Sequence, residues 1–403
     1  MDKTLRAVPF TASHILVTGA TGYMGALIVA SLLRDTAAQV TCLTRSMHDR
    51  QALLEPIIEE WMAQGPEPWT PEVAQRIAQI QLPADLADVP DLGPQLDGVD
   101  EIIHCAGCLD YYDLPKLQEV NVAYTAHLLI LARHLTLKRF VYISTAYSSG
   151  YQPHITAEAQ LPDPPADPTQ YTRTKRDAER LVAASGVPFL IIRPSILIGS
   201  STTGRYSGKR YGLYQQWMGL ERLACDRYHA EFHTVAPELP LNVLHQDAFC
   251  DAFKDAYHWL PNGAWMNLVS NPQTSPSMRD LWDMWFEVTR PQTIYYYAGF
   301  DDVPFKAIPT RQRAYLTFAQ VNLEIASHHW QFETQWLDLL KAAGLQFADA
   351  TVDSVRICQN RFVQSSEQVG KYLAAHGAEL APHPKVIEVP SETKVAERAV
   401  AHS

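Results

Sequence analysis

Tyr171 and Lys175 stand four residues apart in a stretch, residues 170–185, whose pattern predicts a helix, so the two side chains share one face. An ammonium beside a phenol favours the phenolate and lowers its pKa, which lets a tyrosine give and take protons near neutral pH. Thr145 follows an apolar strand expected over residues 138–144 and adds a hydroxyl able to bind the same substrate oxygen. Asn121, inside a helix expected over residues 114–134, is placed to hold a water behind Lys175 and complete a proton relay. A Tyr-x-x-x-Lys spacing is common on helices that do no chemistry. Its weight here comes from the elements upstream.

The apolar run His14–Thr18 is short, branched and closed by glycine, as a buried parallel strand requires. Gly19, Gly22 and Gly25 follow, with Thr21, Tyr23 and Met24 among them, before a helical apolar period takes over. Such glycines make a tight turn, let a pyrophosphate approach bare backbone, and pack helix against strand; the first-turn amides then meet the phosphates. A second apolar run over residues 39–43 completes the strand–helix–strand unit of a dinucleotide site. An NAD site places an acid about 20 residues after the last glycine, on the ribose 2′-hydroxyl. Thr44, Arg45 and Ser46 stand there instead, a guanidinium and two hydroxyls suited to a 2′-phosphate. The cofactor implied is NADPH.

Further along, Asp85, beside Leu86, follows a third strand near Ile80, where a carboxylate can accept from an adenine amino group or simply cap the next turn. Residues 99–104 read as the fourth strand, and Cys105, Ala106 and Gly107 as its small-residue exit over the cofactor. Cys105 and Cys108 form a C-x-x-C with no second pair at metal-ligand spacing, so they read as small residues rather than a metal or redox site. Helices are expected over residues 49–62, with Pro56 kinking or ending it early, and over 72–79. Residues 189–192 read as the sixth strand, 241–244 and 266–269 as later ones, and 247–259, 277–288, 334–343 and 351–375 as helices.

These elements predict an α/β fold, a Rossmann-type doubly wound parallel sheet with a smaller, mainly helical C-terminal substrate-binding part. Residues 1–199 form the dinucleotide-binding domain, 240–270 return to it, 200–403 bind substrate, and 382–403 are an expected disordered tail. With 403 residues, 47% of them hydrophobic, the chain can bury one large core or two modest ones. A net charge of −11 argues against nucleic acid as a general partner. No apolar run approaches the ~18 residues of a membrane span, and six cysteines without a disulfide framework fit a cytoplasmic setting.

Together Gly19 to Gly25, Tyr142-Ile143-Ser144-Thr145, Tyr171 to Lys175 and Arg193-Pro194-Ser195 resemble the extended short-chain dehydrogenase/reductases. Within these the sequence is most similar to the thioester reductase and fatty acyl-CoA reductase branch, which includes reductase domains of nonribosomal peptide synthetases and carboxylic acid reductases. Leu43-Thr44-Arg45, Trp69, Arg76-Ile77, Ala84-Asp85-Leu86 and the segment Gly199 to Gly204 carry the same likeness, which covers residues 15–268. The branch usually shows Gly-Asp where this chain has Ala84-Asp85. The resemblance implies Thr145, Tyr171 and Lys175 as catalytic residues. It implies a cofactor-side set of Gly19, Gly22, Gly25, Arg45, Asp85 and Asn121, to which Thr21, Tyr23, Met24, Leu86, Ala106, Tyr171 and Lys175 are added.

The reaction so implied is reduction of an acyl thioester to the aldehyde, and by a second hydride to the alcohol, with Tyr171 as general acid. The thioester would come on CoA or on an acyl carrier protein supplied in trans, no carrier domain being attached. Arg205, Lys209 and Arg210, in a glycine-punctuated loop, are the expected docking point for that anionic arm. The competing readings are an NADP(H)-dependent ketone/alcohol dehydrogenase or sugar-nucleotide enzyme with the same three residues, and a non-catalytic NADP sensor.

Overall fold

The computed structural model describes residues 3–45, 50–111, 113–208, 211–378, 380 and 383–390. Branched apolar runs become strands, and amphipathic stretches between them become the covering helices. β1 (His14–Thr18) leads into α1 (Tyr23–Asp35), β2 (Gln39–Thr44) into α2 (Arg50–Gln64) and the short α3 (Pro71–Gln75), and β3 (Ile77–Gln81) follows. A 3₁₀ stretch, Leu86–Leu96, precedes β4 (Glu101–His104). Then α4 (Leu114–Leu117), a π-helical turn (Gln118–Ala123) and α5 (Tyr124–His134) form one continuous rod before β5 (Arg139–Ile143). α6 (Gln170–Ala184), β6 (Phe189–Pro194) and β7 (Ile196–Ile198) come next.

The remainder runs α7 (Leu213–Ala224), β8 (Glu231–Val235), β9 (Val243–His245), α8 (Gln246–Trp259), β10 (Ala264–Leu268), α9 (Met278–Thr289), β11 (Thr293–Tyr297) and α10 (Thr310–Ala326). It closes with α11 (Gln335–Ala342), α12 (Val352–Ser365), α13 (Glu367–His376) and β12 (Lys385–Val389).

Seven parallel strands form the main sheet in the order β10-β6-β5-β4-β1-β2-β3. The order reverses direction between β1 and β4, and ligands of such sheets bind in the crevice outside that point. One face is covered by α1, α2, α8 and α11, the other by the 3₁₀ stretch, α5 and α6. The expected doubly wound sheet is therefore present, and β10 joins it beside β6. β9 does not, because it pairs with β7 in a separate two-stranded ribbon.

Other differences have local causes. α2 continues through Pro56 because Leu53, Ile57, Glu60 and Trp61 are buried along it, and that packing outweighs the proline. Residues 351–375 divide into two helices at Ser366, whose Oγ accepts from Val369 N (3.0 Å) and caps the second. The C-terminal part is not purely helical, since β12, β11 and β8 form a parallel three-stranded sheet. Part of the expected disordered tail is thus a strand: Val386 to Val389 pair with Ile294 to Tyr297, and residues 391–403 lie outside the described ones. No helix among the described residues is long and apolar enough to cross a membrane.

Candidate active site

The glycine loop is shaped as a phosphate cradle. Gly19 has φ +76°, and a Cβ there would stand 2.7 Å from Ala106 N; one at Gly25 would stand 2.1 Å from Gly19 O. Gly22 caps α1 with no side-chain hydrogen bond and no acid in the first turn, whereas α6, α9 and α12 are closed by capping boxes. The α1 amides are therefore left without a capping side chain, which fits a pyrophosphate. Thr21 and Gly22 are exposed on this loop, and Met24 packs against the core. Tyr23 turns inward, donating to Gln246 Oε1 (2.9 Å).

Arg45 is exposed at the carboxyl end of β2. The Thr44 hydroxyl accepts from Gln79 Nε2 (2.9 Å), and Ser46 lies outside the described residues. Asp85 caps the 3₁₀ stretch by accepting from Ala87 N (2.9 Å), while Leu86 O accepts from His127 (2.7 Å).

A chain of hydrogen bonds ties this loop to α6. Thr18 Oγ1 accepts from Ala106 N (3.2 Å) and lies 2.7 Å from His104 Nδ1. Thr125 Oγ1 donates to Asn121 O (2.8 Å) and must accept from His104 Nε2 (3.0 Å). The partners thereby fix His104 as the neutral Nε2–H tautomer, and burial, with Lys175 nearby, holds its pKa well below the usual value. Asn121 Nδ2 donates to Thr174 Oγ1 (3.0 Å) and Cys108 O (3.2 Å), and its Oδ1 accepts from Cys108 N (2.7 Å). The Asn121 amide thus staples the exit of β4 to α6. The π-helical turn in which it sits replaces the uninterrupted α-helix the sequence predicts.

Thr145 stands two residues beyond Ile143, the end of β5, and is buried, its Oγ1 accepting from Tyr147 N (3.4 Å). Lys175 Nζ donates to Ile143 O (2.7 Å) and lies 4.2 Å from the centre of the Tyr142 ring. Burial draws its pKa down to about 8. The Tyr171 phenol is pushed up, first by burial and then by Tyr111, Cys105 and Cys108. That reverses the expected lowering. The ammonium is directed at a carbonyl and an aromatic face, and the Tyr111 ring, 5.9 Å away, covers the phenol. Tyr171 therefore keeps its proton at neutral pH, the state a general acid needs.

Residues 17–252, more than half of the chain, match the family model of the male sterility protein, a model for NAD binding. The chain belongs to the male sterility protein family. It is thereby an extended short-chain dehydrogenase/reductase with a nicotinamide-dinucleotide-binding fold. A linear gramicidin synthase of Brevibacillus parabrevis is 30% identical over 207 residues, 47% of this chain and 4% of that protein. Fatty acyl-CoA reductase 1 of Gallus gallus is 28% identical over 239 residues, 49% of this chain and 46% of that one. The chain thus spans about half, or far less, of the length of these relatives. Among solved structures, the terminal R domain from the myxalamid PKS-NRPS pathway superposes with a TM-score of 0.66 at 19% identity, over 88% of this chain and 91% of that one. A thiolation-reductase di-domain from an archaeal non-ribosomal peptide synthetase gives 0.63, also at 19% identity and the same coverage.

In this family member Arg205 is not available as a docking cation. Its Nη1 reaches both oxygens of the buried Glu60 carboxylate on α2 (3.1 and 3.0 Å), and Ser207 Oγ donates to the same group. The expected role fails because a guanidinium neutralising a buried carboxylate cannot leave it cheaply. Lys209 and Arg210 lie outside the described residues. The Cys105 thiol is pushed up to about 12 by burial, which keeps it protonated and a poor nucleophile.

Sequence reasoning missed a buried clamp behind Lys175. Arg193 holds Glu179 through Nε (3.0 Å) and Nη2 (2.8 Å), and Ser148 Oγ donates to Glu179 Oε1 (2.8 Å). Glu179 lies one helical turn beyond Lys175, and that i, i+4 spacing was the signal available.

Proposed function

We propose that the protein is an NADPH-dependent reductase of acyl thioesters, carried on CoA or on an acyl carrier protein, yielding aldehyde and free thiol. A second reduction of the aldehyde gives the alcohol. The observation that supports it most is Lys175, one helical turn from Tyr171 on α6, reaching Ile143 O (2.7 Å) at the end of β5, two residues before Thr145, with α6 tied by hydrogen bonds to an uncapped glycine loop. Its relatives include a linear gramicidin synthase and a fatty acyl-CoA reductase.

NADPH, when bound, supplies the hydride. Gly19, Gly22 and Gly25 leave room for its pyrophosphate, and the exposed Arg45 meets the 2′-phosphate. Thr145 and Tyr171 hold the carbonyl oxygen of the substrate, and Tyr171 protonates the oxygen or the departing thiolate. Lys175, cationic below about pH 8, stabilises charge developing there. All six cysteines are unpaired, which supports a cytoplasmic setting.

The test is consumption of NADPH and of NADH with acyl-CoA, acyl-carrier and ketone substrates, with thiol titrated and products weighed. NADPH-dependent aldehyde with one thiol released per turnover is expected. Turnover of ketones alone would place the protein among alcohol dehydrogenases.

A further inference from the structure

Glu179 lies on α6 one helical turn beyond Lys175, and the two residues are only 1% and 4% exposed. Its carboxylate is held from two sides. Oε1 accepts from Ser148 Oγ (2.8 Å) and Arg193 Nε (3.0 Å), and Oε2 accepts from Arg193 Nη2 (2.8 Å). The same guanidinium donates to Ala157 O (3.0 Å) and Ala159 O (2.9 Å). A guanidinium is charged at any working pH, and a carboxylate matches its two-pronged geometry.

A buried ammonium needs an anion within reach, because burial disfavours its charged form. Around Lys175 stand His104 and Cys105 at the end of β4, Tyr142 on β5, and Tyr171 and Glu179 on α6. Arg176, next along the helix, is engaged by Asp167 (2.6 and 2.8 Å). His104 is neutral, and the phenols of Tyr142 and Tyr171 are pushed up and keep their protons. Burial draws Lys175 down to about 8, and two groups, Cys105 and Glu179, oppose that fall. The Cys105 thiol carries no charge until about pH 12. That leaves Glu179. It also pushes up the Tyr142 phenol, whose ring centre is 4.2 Å from Lys175 Nζ, so one carboxylate reaches both groups.

We propose that Glu179 is a positioning residue for the reaction, the fixed anion that sustains the Lys175 ammonium against Ile143 O and the Tyr142 ring. Arg193 and Ser148 fix that carboxylate in turn. This role rests on the reading of the protein as a thioester reductase, with Lys175 working as a cation.

The experiment follows Lys175 and turnover together. Protein labelled with ¹³C at lysine Cε is titrated by NMR, the Lys175 signal being the one absent from Lys175→Met. Acyl-CoA reduction with NADPH is measured over the same pH range. In wild type the signal should titrate near pH 8, and the alkaline fall in kcat should follow it. In Glu179→Gln both should move about 1–3 pH units towards acid, the effect of losing a nearby opposite charge, and kcat should recover as the pH is lowered. Glu179→Asp keeps the charge and should stay near wild type. Glu179→Gln leaves Arg193 buried without its partner and can fail to fold. Glu179→Gln combined with Arg193→Met removes both charges and should show the same move. A folded variant without the carboxylate whose Lys175 titrates as in wild type overturns the proposal. So does an equal loss of kcat at every pH, or an Asp variant that moves as far as the Gln. A wild type that reduces no thioester overturns the reaction reading, while the NMR titration still decides the role of Glu179.

Discussion

Replacing Lys175 with Met should make the protein more stable and inactive. Lys175 is buried, and its pKa falls from 10.5 to about 8. At 1.36 kcal/mol per pKa unit, holding the ammonium in the folded chain costs about 3 kcal/mol relative to the unfolded one. The sign follows from proton counts. Below about pH 8 both states carry the proton and the whole penalty is present; between about pH 8 and 10.5 the unfolded state binds more protons, so stability rises with pH; above that the penalty is gone. Lys175→Met carries no such term. Urea unfolding followed by the fluorescence of the nine tryptophans, with wild type and variant at each pH, isolates the difference. The variant's advantage should shrink by about 3 kcal/mol between about pH 7 and 11. A difference that does not change with pH would show that Lys175 is not a buried cation. A variant that keeps its turnover would remove the chemical reason for burying one.

Tyr171→Phe should cut kcat by about 10²–10⁴ while leaving NADPH affinity, measured by fluorescence titration, nearly intact. Near-normal rates would remove Tyr171 from the mechanism. Because the phenol is pushed up while Lys175 falls to about 8, kcat should decline as pH rises through about 8, and a decline beginning only near pH 10 would speak against Lys175. Arg45→Ala should weaken NADPH binding at least about tenfold more than NADH binding, as loss of a charge-assisted contact worth about 1.5–3 kcal/mol implies; equal losses would place the 2′-phosphate elsewhere. Arg205→Met leaves Glu60 buried without its partner and should lower stability by about 3 kcal/mol in urea melts. A salt-sensitive rise in KM for acyl-CoA at unchanged stability would restore the docking role.

What could be read from the chain was local. β1, β2, β4, β5 and β6 are apolar runs buried on both faces, and the glycine spacing and the four-residue step from Tyr171 to Lys175 survive intact in the structure. What could not be read depends on partners distant in sequence. Arg205 reads as a free cation until α2, 145 residues away, brings Glu60 to it. The Tyr171 phenol reads as acidified until Tyr111 and the Cys105–Cys108 exit bury it. β8, β11 and β12 are five residues each and find one another only across the C-terminal part, so their alternation carried no signal in isolation. Asn121 lies in a π-helical turn that sequence periodicity does not reveal.

The most direct test of the proposed reaction is transfer of label from NADPH deuterated at nicotinamide C4 to an acyl thioester. The aldehyde recovered should carry one deuterium at its carbonyl carbon, with one equivalent of thiol released, and Tyr171→Phe should abolish both together. Consumption of NADPH without deuterium in an aldehyde, or with label found only in a secondary alcohol made from a ketone, would contradict thioester reduction.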